Sequence, residues 1–152
     1  MVHVMTRNEF NFKMKDKELE TLFIGTGWSF PTSFVKASRG IEMVSGEEDI
    51  RQSLAILLGT TFGERLIHPD FGCNLRDYLF EPVTVTLKSI IKDLVETAII
   101  KHESRIRLLD LELNTEQETE GILLLEISYV IKSTNSRSNY VYPFYLEEGT
   151  NT

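Results

Sequence analysis

The chain has 152 residues, 41% of them hydrophobic and 26% charged, which is enough to bury one core and sets the expectation of a single globular domain. A formal charge of −7 and a pI near 5.0 disfavour nucleic acid as a partner, since neutralising phosphates takes an excess of lysine and arginine. One cysteine, Cys73, and three histidines, His3, His68 and His102, leave no internal disulfide and no structural zinc set, so neither a metal nor a cofactor is expected.

Residues 1–25 mix charges with Phe10, Phe12 and Met14 at strand spacing and with Leu19, Leu22 and Phe23 at helical spacing, and read as an N-terminal extension that orders on a partner. No apolar run approaches the roughly 20 residues needed to span a bilayer, and this charged start lacks the apolar core of a signal peptide. The expectation is a protein made and folded in a cytosol, without membrane insertion. Gly25-Thr26-Gly27 punctuates the chain, and Trp28-Ser29-Phe30-Pro31 opens an extended segment because the residue before proline avoids the helical region. The domain proper is placed at 26–152.

Ser45-Gly46-Glu47-Glu48 reads as a capping box, predicting a helix from Gly46, with Ile50, Leu54, Leu57 and Leu58 as its buried stripe and Gly59 as its stop. A longer helix is predicted over 83–101, where Leu87, Ile90, Ile91, Leu94, Val95, Ala98 and Ile99 form one apolar face. Three strands follow. The first, 106–113, changes parity between Leu108 and Leu109, which predicts a bulge. The second, 122–131, carries Leu123, Leu125, Ile127, Tyr129 and Ile131 on one face and reads as the central strand. The third, 140–146, contains Pro143, which cannot donate to a ladder, so it reads as an edge. Residues 114–121 and 133–139 are read as hairpin loops. The fold class is α+β: one short and one long helix on an antiparallel sheet of three or more strands.

Between the helices lies a block dense in turns, charges and aromatics that contains Gly63, Glu64, Arg65, Pro69, Asp70, Phe71 and Gly72. Glu64 and Asp70 are its acid/base candidates, since glycoside hydrolysis uses two carboxyl groups about 5–9 Å apart. No desolvating pocket or sugar-stacking aromatic is marked beside either, and turn acids ordinarily form ion pairs and Asx turns. His68-Pro69 has no serine in a nucleophile elbow, and the glycines do not form a phosphate-binding loop. The block is read as structural, with no catalytic residue. Glu103-Ser104-Arg105, at the corner after the long helix, either satisfies local backbone groups or presents the planar fork of Arg105 to a partner carboxylate. The last strand is unusually aromatic for an edge: Tyr140, Tyr142 and Phe144 alternate with Val141 and Tyr145. Either these residues pack in the core or the edge is covered, by the extension or by an added strand.

Trp28-Ser29-Phe30-Pro31, Ser45-Gly46-Glu47-Glu48-Asp49-Ile50-Arg51-Gln52-Ser53, Gly63-Glu64-Arg65 with Pro69-Asp70-Phe71-Gly72, and Phe80-Glu81-Pro82 occur in this order. Together they resemble the small baseplate-wedge, sheath-initiator family of contractile phage tails, type VI secretion baseplates and extracellular contractile injection systems, across most of residues 28–146. The family's Glu-Pro-Arg motif, which docks on the helical core bundle of the wedge, corresponds to Glu103, Ser104 and Arg105, with serine replacing proline. The resemblance implies a non-enzymatic adaptor whose sheet accepts strands from the first sheath ring. On this chain that implicates the edge strand with Tyr140, Val141, Tyr142, Phe144 and Tyr145, beside strand 122–131. Implied partners are wedge core proteins, the sheath subunit and central hub or tube-initiator proteins, in a six-fold baseplate assembled in the bacterial cytoplasm and carried on a virion tail or injection particle. Some family members have carried a lysozyme label, so the alternatives are a peptidoglycan hydrolase using Glu64 and Asp70, and a small regulatory binding module of the same fold.

Overall fold

A computed structural model describes residues 24–35, 40–78, 81–116 and 121–145. The expected extension lies outside them apart from Ile24 and Gly25, as do Phe80 and Leu146. The chain forms two compact units, Met1–Gln52 and Ser53–Thr152.

The described part of the first unit is a nested antiparallel hairpin leading into a helix. β1 (Thr26–Trp28) pairs with β4 (Met43–Ser45), and β2 (Phe34–Val35) pairs with β3 (Gly40–Ile41). Backbone bonds from Ser29 to the Glu42 carbonyl at 2.9 Å and from Glu42 to the Ser33 carbonyl at 3.0 Å join the two ladders. These short strands are absent from the sequence reading, because two- and three-residue ladders leave no periodicity to detect. Gly27 lies so close to Asp49, in the first turn of the helix, that any Cβ would meet its carboxylate. Gln52 accepts from the Phe30 amide at 2.7 Å. The hairpin leaves Trp28, Phe30, Phe34 and Met43 exposed.

α1 runs Glu47–Gly59, one residue later than the capping-box reading required. Ser45 remains in β4, opposite Thr26. Gly46 takes a left-handed φ of +69° and its carbonyl accepts from Ile50 at 3.3 Å, so the glycine turns the strand into the helix. Three acids, Glu47, Glu48 and Asp49, occupy the first turn, where the helix dipole favours them. The predicted stripe is buried: Ile50, Leu54, Leu57 and Leu58 are each nearly inaccessible.

The second unit is a helix-on-sheet layer. α2 spans Val85–His102, starting two residues after the predicted position because Thr84 is the cap. Its hydroxyl accepts from the Leu87 amide at 3.1 Å. Thr84→Ala should therefore lower stability by about 1 kcal/mol, read as a reduced urea midpoint at unchanged slope. Leu87, Ile91, Val95, Ala98 and Ile99 are buried as predicted, whereas Ile90 is exposed and Leu94 only half-buried. The apolar face is thus narrower than a count of apolar residues suggests.

β5 (Ile106–Asn114), β6 (Ile122–Ile131) and β7 (Ser136–Tyr145) form an antiparallel meander with β6 in the centre. The register slips between Leu108 and Asp110, which is the bulge the parity change announced. Leu123, Leu125, Ile127 and Tyr129 are wholly buried and Ile131 nearly so. Contrary to the loop expected at 133–139, β7 begins at Ser136. Ile131 pairs directly with Ser136, and the turn 132–135 is closed by Asn135 at φ +53°, a left-handed position that asparagine tolerates. The polar stretch Ser136-Arg137-Ser138-Asn139 concealed this strand, since it has little apolar patterning. No described helix is long and apolar enough to cross a membrane.

Candidate functional site

The corner between α2 and β5 holds its charges in one tight arrangement. Glu103 caps α2 by donating its amide to the Ile99 carbonyl at 2.9 Å, which places its side chain inside the second unit at 4% exposure. Arg105 grips it in two bonds, Nε to Oε1 at 2.7 Å and Nη2 to Oε2 at 2.6 Å. Burial opposes ionisation of Glu103, but hydrogen bonds from Arg105 and Ser53 outweigh it and hold the carboxyl below the usual glutamate range. The Arg105 side chain remains about 30% exposed. The fork of the arginine therefore meets a carboxylate of its own chain, and Glu103 fixes the plane that the guanidinium presents.

Lys132 ties down the backbone of this corner at two carbonyls. Its amide donates to the Arg105 carbonyl at 2.9 Å and its ammonium to the Ser104 carbonyl at 2.8 Å. Lys132 and Ser53 both escaped the sequence reading. Lys132 borders a predicted strand, and Ser53 lies inside the first predicted helix.

The turn block forms a closed loop. The Cys73 amide donates to the Thr60 carbonyl at 2.8 Å, and Gly63 to the Pro69 carbonyl at 2.8 Å. Glu64 accepts from the Thr61 amide at 3.0 Å and faces Arg76 at 3.8 Å. Arg65 lies 3.8 Å above the Phe71 ring, a cation–π contact, and Phe71 in turn packs against His102. Asp70 pairs with Lys101 at 2.9 Å, and this hydrogen bond holds its carboxyl below the ordinary value. Burial pushes the Cys73 thiol up to about 11, so it is a packing residue rather than a nucleophile. A groove of about 350 Å³ runs beside α2, lined by Phe62, Ile90, Leu94, Ala98, Asp70 and Lys101 among others. Glu64 does not line it, and the two acids have separate cationic partners.

Among the described residues β7 is an outer strand, next to β6. Phe144, Tyr142 and Tyr140 lie opposite Leu123, Leu125 and Ile127 on the core face. Phe144 is buried and burial raises the Tyr142 phenol, whereas Val141, Pro143 and Tyr145 are exposed. One face of the aromatic strand thus packs in the core, and the other is exposed. Among the described residues no group of three His, Cys, Asp or Glu side chains is placed to hold a metal.

The model of the family "Baseplate wedge protein gp25" matches residues 44–136, more than half of the chain. Baseplate wedge protein gp25 of Enterobacteria phage T4 is 36% identical over 61 residues, which is 40% of this chain and 46% of that protein. The match therefore spans less than half of that relative's length. A putative tail lysozyme from Geobacter sulfurreducens has 43% identity with a TM-score of 0.66, covering 73% of this chain and 100% of that one. The baseplate of the anti-feeding prophage contains a chain that shares the fold, with a TM-score of 0.62 and 24% identity over 87% of this chain and 94% of that one. With its helix-capping corner, its closed turn block and its meander all falling within or beside the matched stretch, this chain belongs to the gp25 baseplate wedge family of contractile tails.

Proposed function

We propose that the protein is a structural subunit of a baseplate, docking on the wedge core through the Glu103–Ser104–Arg105 corner and starting the sheath by lending β7 to an added strand. The reading rests above all on the contrast between the sheet's two outer strands. β5 carries a bulge and the charges Arg107, Asp110 and Glu112, devices that discourage pairing. β7 has fewer of them, Pro143 and Arg137, pairs without a slip over ten residues and shows Val141 and Tyr145 on its exposed face. Partners in this reading are wedge core proteins, the sheath subunit and hub or tube-initiator proteins. The subunit would be assembled in the bacterial cytoplasm, once per wedge of a six-fold ring.

Val141 and Pro143 are two residues apart, so their backbone nitrogens point the same way. Val141→Pro should remove a second donor on that side, leaving baseplates that assemble but carry no sheath. Sheaths of normal length on that variant would refute strand addition at β7. Arg105→Glu should abolish co-purification with the wedge core, and unaltered co-purification would count against docking at the corner.

A second reading, a peptidoglycan hydrolase using Glu64 and Asp70, takes its support from the description of the Geobacter sulfurreducens relative. The ion pairs with Arg76 and Lys101 weigh against it, because a general acid needs an environment that keeps a carboxyl protonated. Purified protein should leave cell walls intact, and turnover lost in Glu64→Gln would establish the hydrolase instead.

A further inference from the structure

We propose that Arg107 and Arg137, together with Arg105, form a carboxylate-binding face that receives an acidic helix of a neighbouring protein, laid across the strands at the corner end of the meander. This rests on the reading of that corner as the docking surface and adds the chemistry of what docks there.

Side chains alternate between the two faces of a strand, and Leu125, Ile127, Tyr129 and Ile131 take the core face of β6. Val130 belongs to the opposite face. It pairs with Arg107 on one side and with Arg137 on the other, so the two arginines stand in one row across the sheet, both exposed. Two residues further along, Arg105 and Lys132 continue the ladder through the bond from the Lys132 amide to the Arg105 carbonyl. Cations thus gather at one end of one sheet face, in a chain whose net charge is −7. Glu103 engages Arg105, and the Lys132 ammonium donates to the Ser104 carbonyl. Arg107 and Arg137 have no ion-pair partner among the described residues.

Spacing points to a helical partner. Two strands apart, Arg107 and Arg137 are separated by about 10 Å between Cα atoms. Acids at i and i+7 of a helix share a face and stand about 10.5 Å apart. Same-face residues of an extended strand recur at about 7 and 14 Å, and match neither arginine when centred on the other. The next rows of the same sheet face narrow the partner further. Asp110 lies opposite Ser128, and Glu112 opposite Glu126. These acids repel a continuous polyanion, so a nucleic-acid backbone or an anionic membrane fits poorly, whereas a helix with two carboxylates meets only the cationic row.

The test uses assembled baseplates containing the full chain as the Arg107→Lys, Arg137→Lys variant, which keeps both charges and supplies amines. A carbodiimide joins an amine to a carboxylate as an amide, taking up the water lost as it becomes a urea. Amides should form from positions 107 and 137 to two acids seven residues apart in one partner protein. The Arg107→Ala, Arg137→Ala variant should unfold at the wild-type temperature, because both side chains are exposed, yet bind the purified wedge core on the order of 10-fold more weakly. Several results would each overturn the acidic helix: baseplates that incorporate the lysine variant but give no amide to another protein, amides to an extended strand, wild-type affinity in the alanine variant, or binding to duplex DNA or phosphatidylglycerol vesicles that the alanine variant loses. Arg105→Glu separates the two levels. If it releases the wedge core while the alanine variant binds as wild type, docking at the corner stands and the acidic helix falls; if it binds unchanged, both fall.

Discussion

Gly72→Ala should destabilise the second unit by roughly 4 kcal/mol, while Gly63→Ala, nine residues earlier in the same loop, should cost only about 1 kcal/mol. Both glycines have positive φ, +124° and +85°, so both substitutions bring backbone strain. The difference is space. A Cβ at Gly63 meets nothing within 4 Å. At Gly72 it would run into the Thr60 carbonyl oxygen and lie 2.9 Å from the carbonyl carbon, and backbone cannot swing aside as a side chain can. The same oxygen receives the Cys73 amide, so relieving the clash breaks the bond that closes the loop. Urea unfolding of the two variants side by side measures both effects, and equal midpoints would show that the contact with Thr60 is soft.

Arg105→Ala should cost about 3 kcal/mol near neutral pH, because it leaves Glu103 buried and ionised without its partner. It should also invert the acid dependence of stability. In the wild type the folded-state pKa of Glu103 lies below the unfolded value near 4.5. The pair's contribution is therefore complete above that pH and is lost as pH falls through the folded-state value. Without Arg105, burial dominates and raises the folded-state pKa above the unfolded one. Stability should then be recovered as the carboxyl protonates on acidification. Thermal unfolding between pH 3 and 7, on the order of one unit per step, distinguishes opposite slopes from parallel ones. Parallel slopes would mean that the arginine does not set the ionisation of Glu103.

Elements whose stabilising contacts recur at a fixed period were legible in the chain. The stripe of α1, most of that of α2 and the inner face of β6 follow directly from spacing, and the bulge in β5 from a single parity change at Leu108. What was hidden depends on contacts without a period. The β1–β4 hairpin consists of ladders two and three residues long, and the first half of β7 is Ser, Arg, Ser and Asn, held in the sheet by pairing with β6 rather than by its own apolarity. At the corner the acid and the arginine were visible as a pair of charges. That they grip each other, and that Ser53 and Lys132 complete the arrangement, depends on residues 52 positions upstream and 27 downstream of Arg105, numbering that no local window spans.

The meander has a consequence for how the subunit is made. Every pairing in its sheet joins strands consecutive in the chain, β5 with β6 and β6 with β7, and α2 directly precedes β5. Contacts between near neighbours close small loops, and topologies of low contact order fold fast. The second unit should accordingly complete its core within milliseconds to a second of release, well ahead of the bimolecular encounters that build a ring. Each copy would then arrive at the growing particle already shaped, and assembly would select among finished surfaces rather than fold them in place.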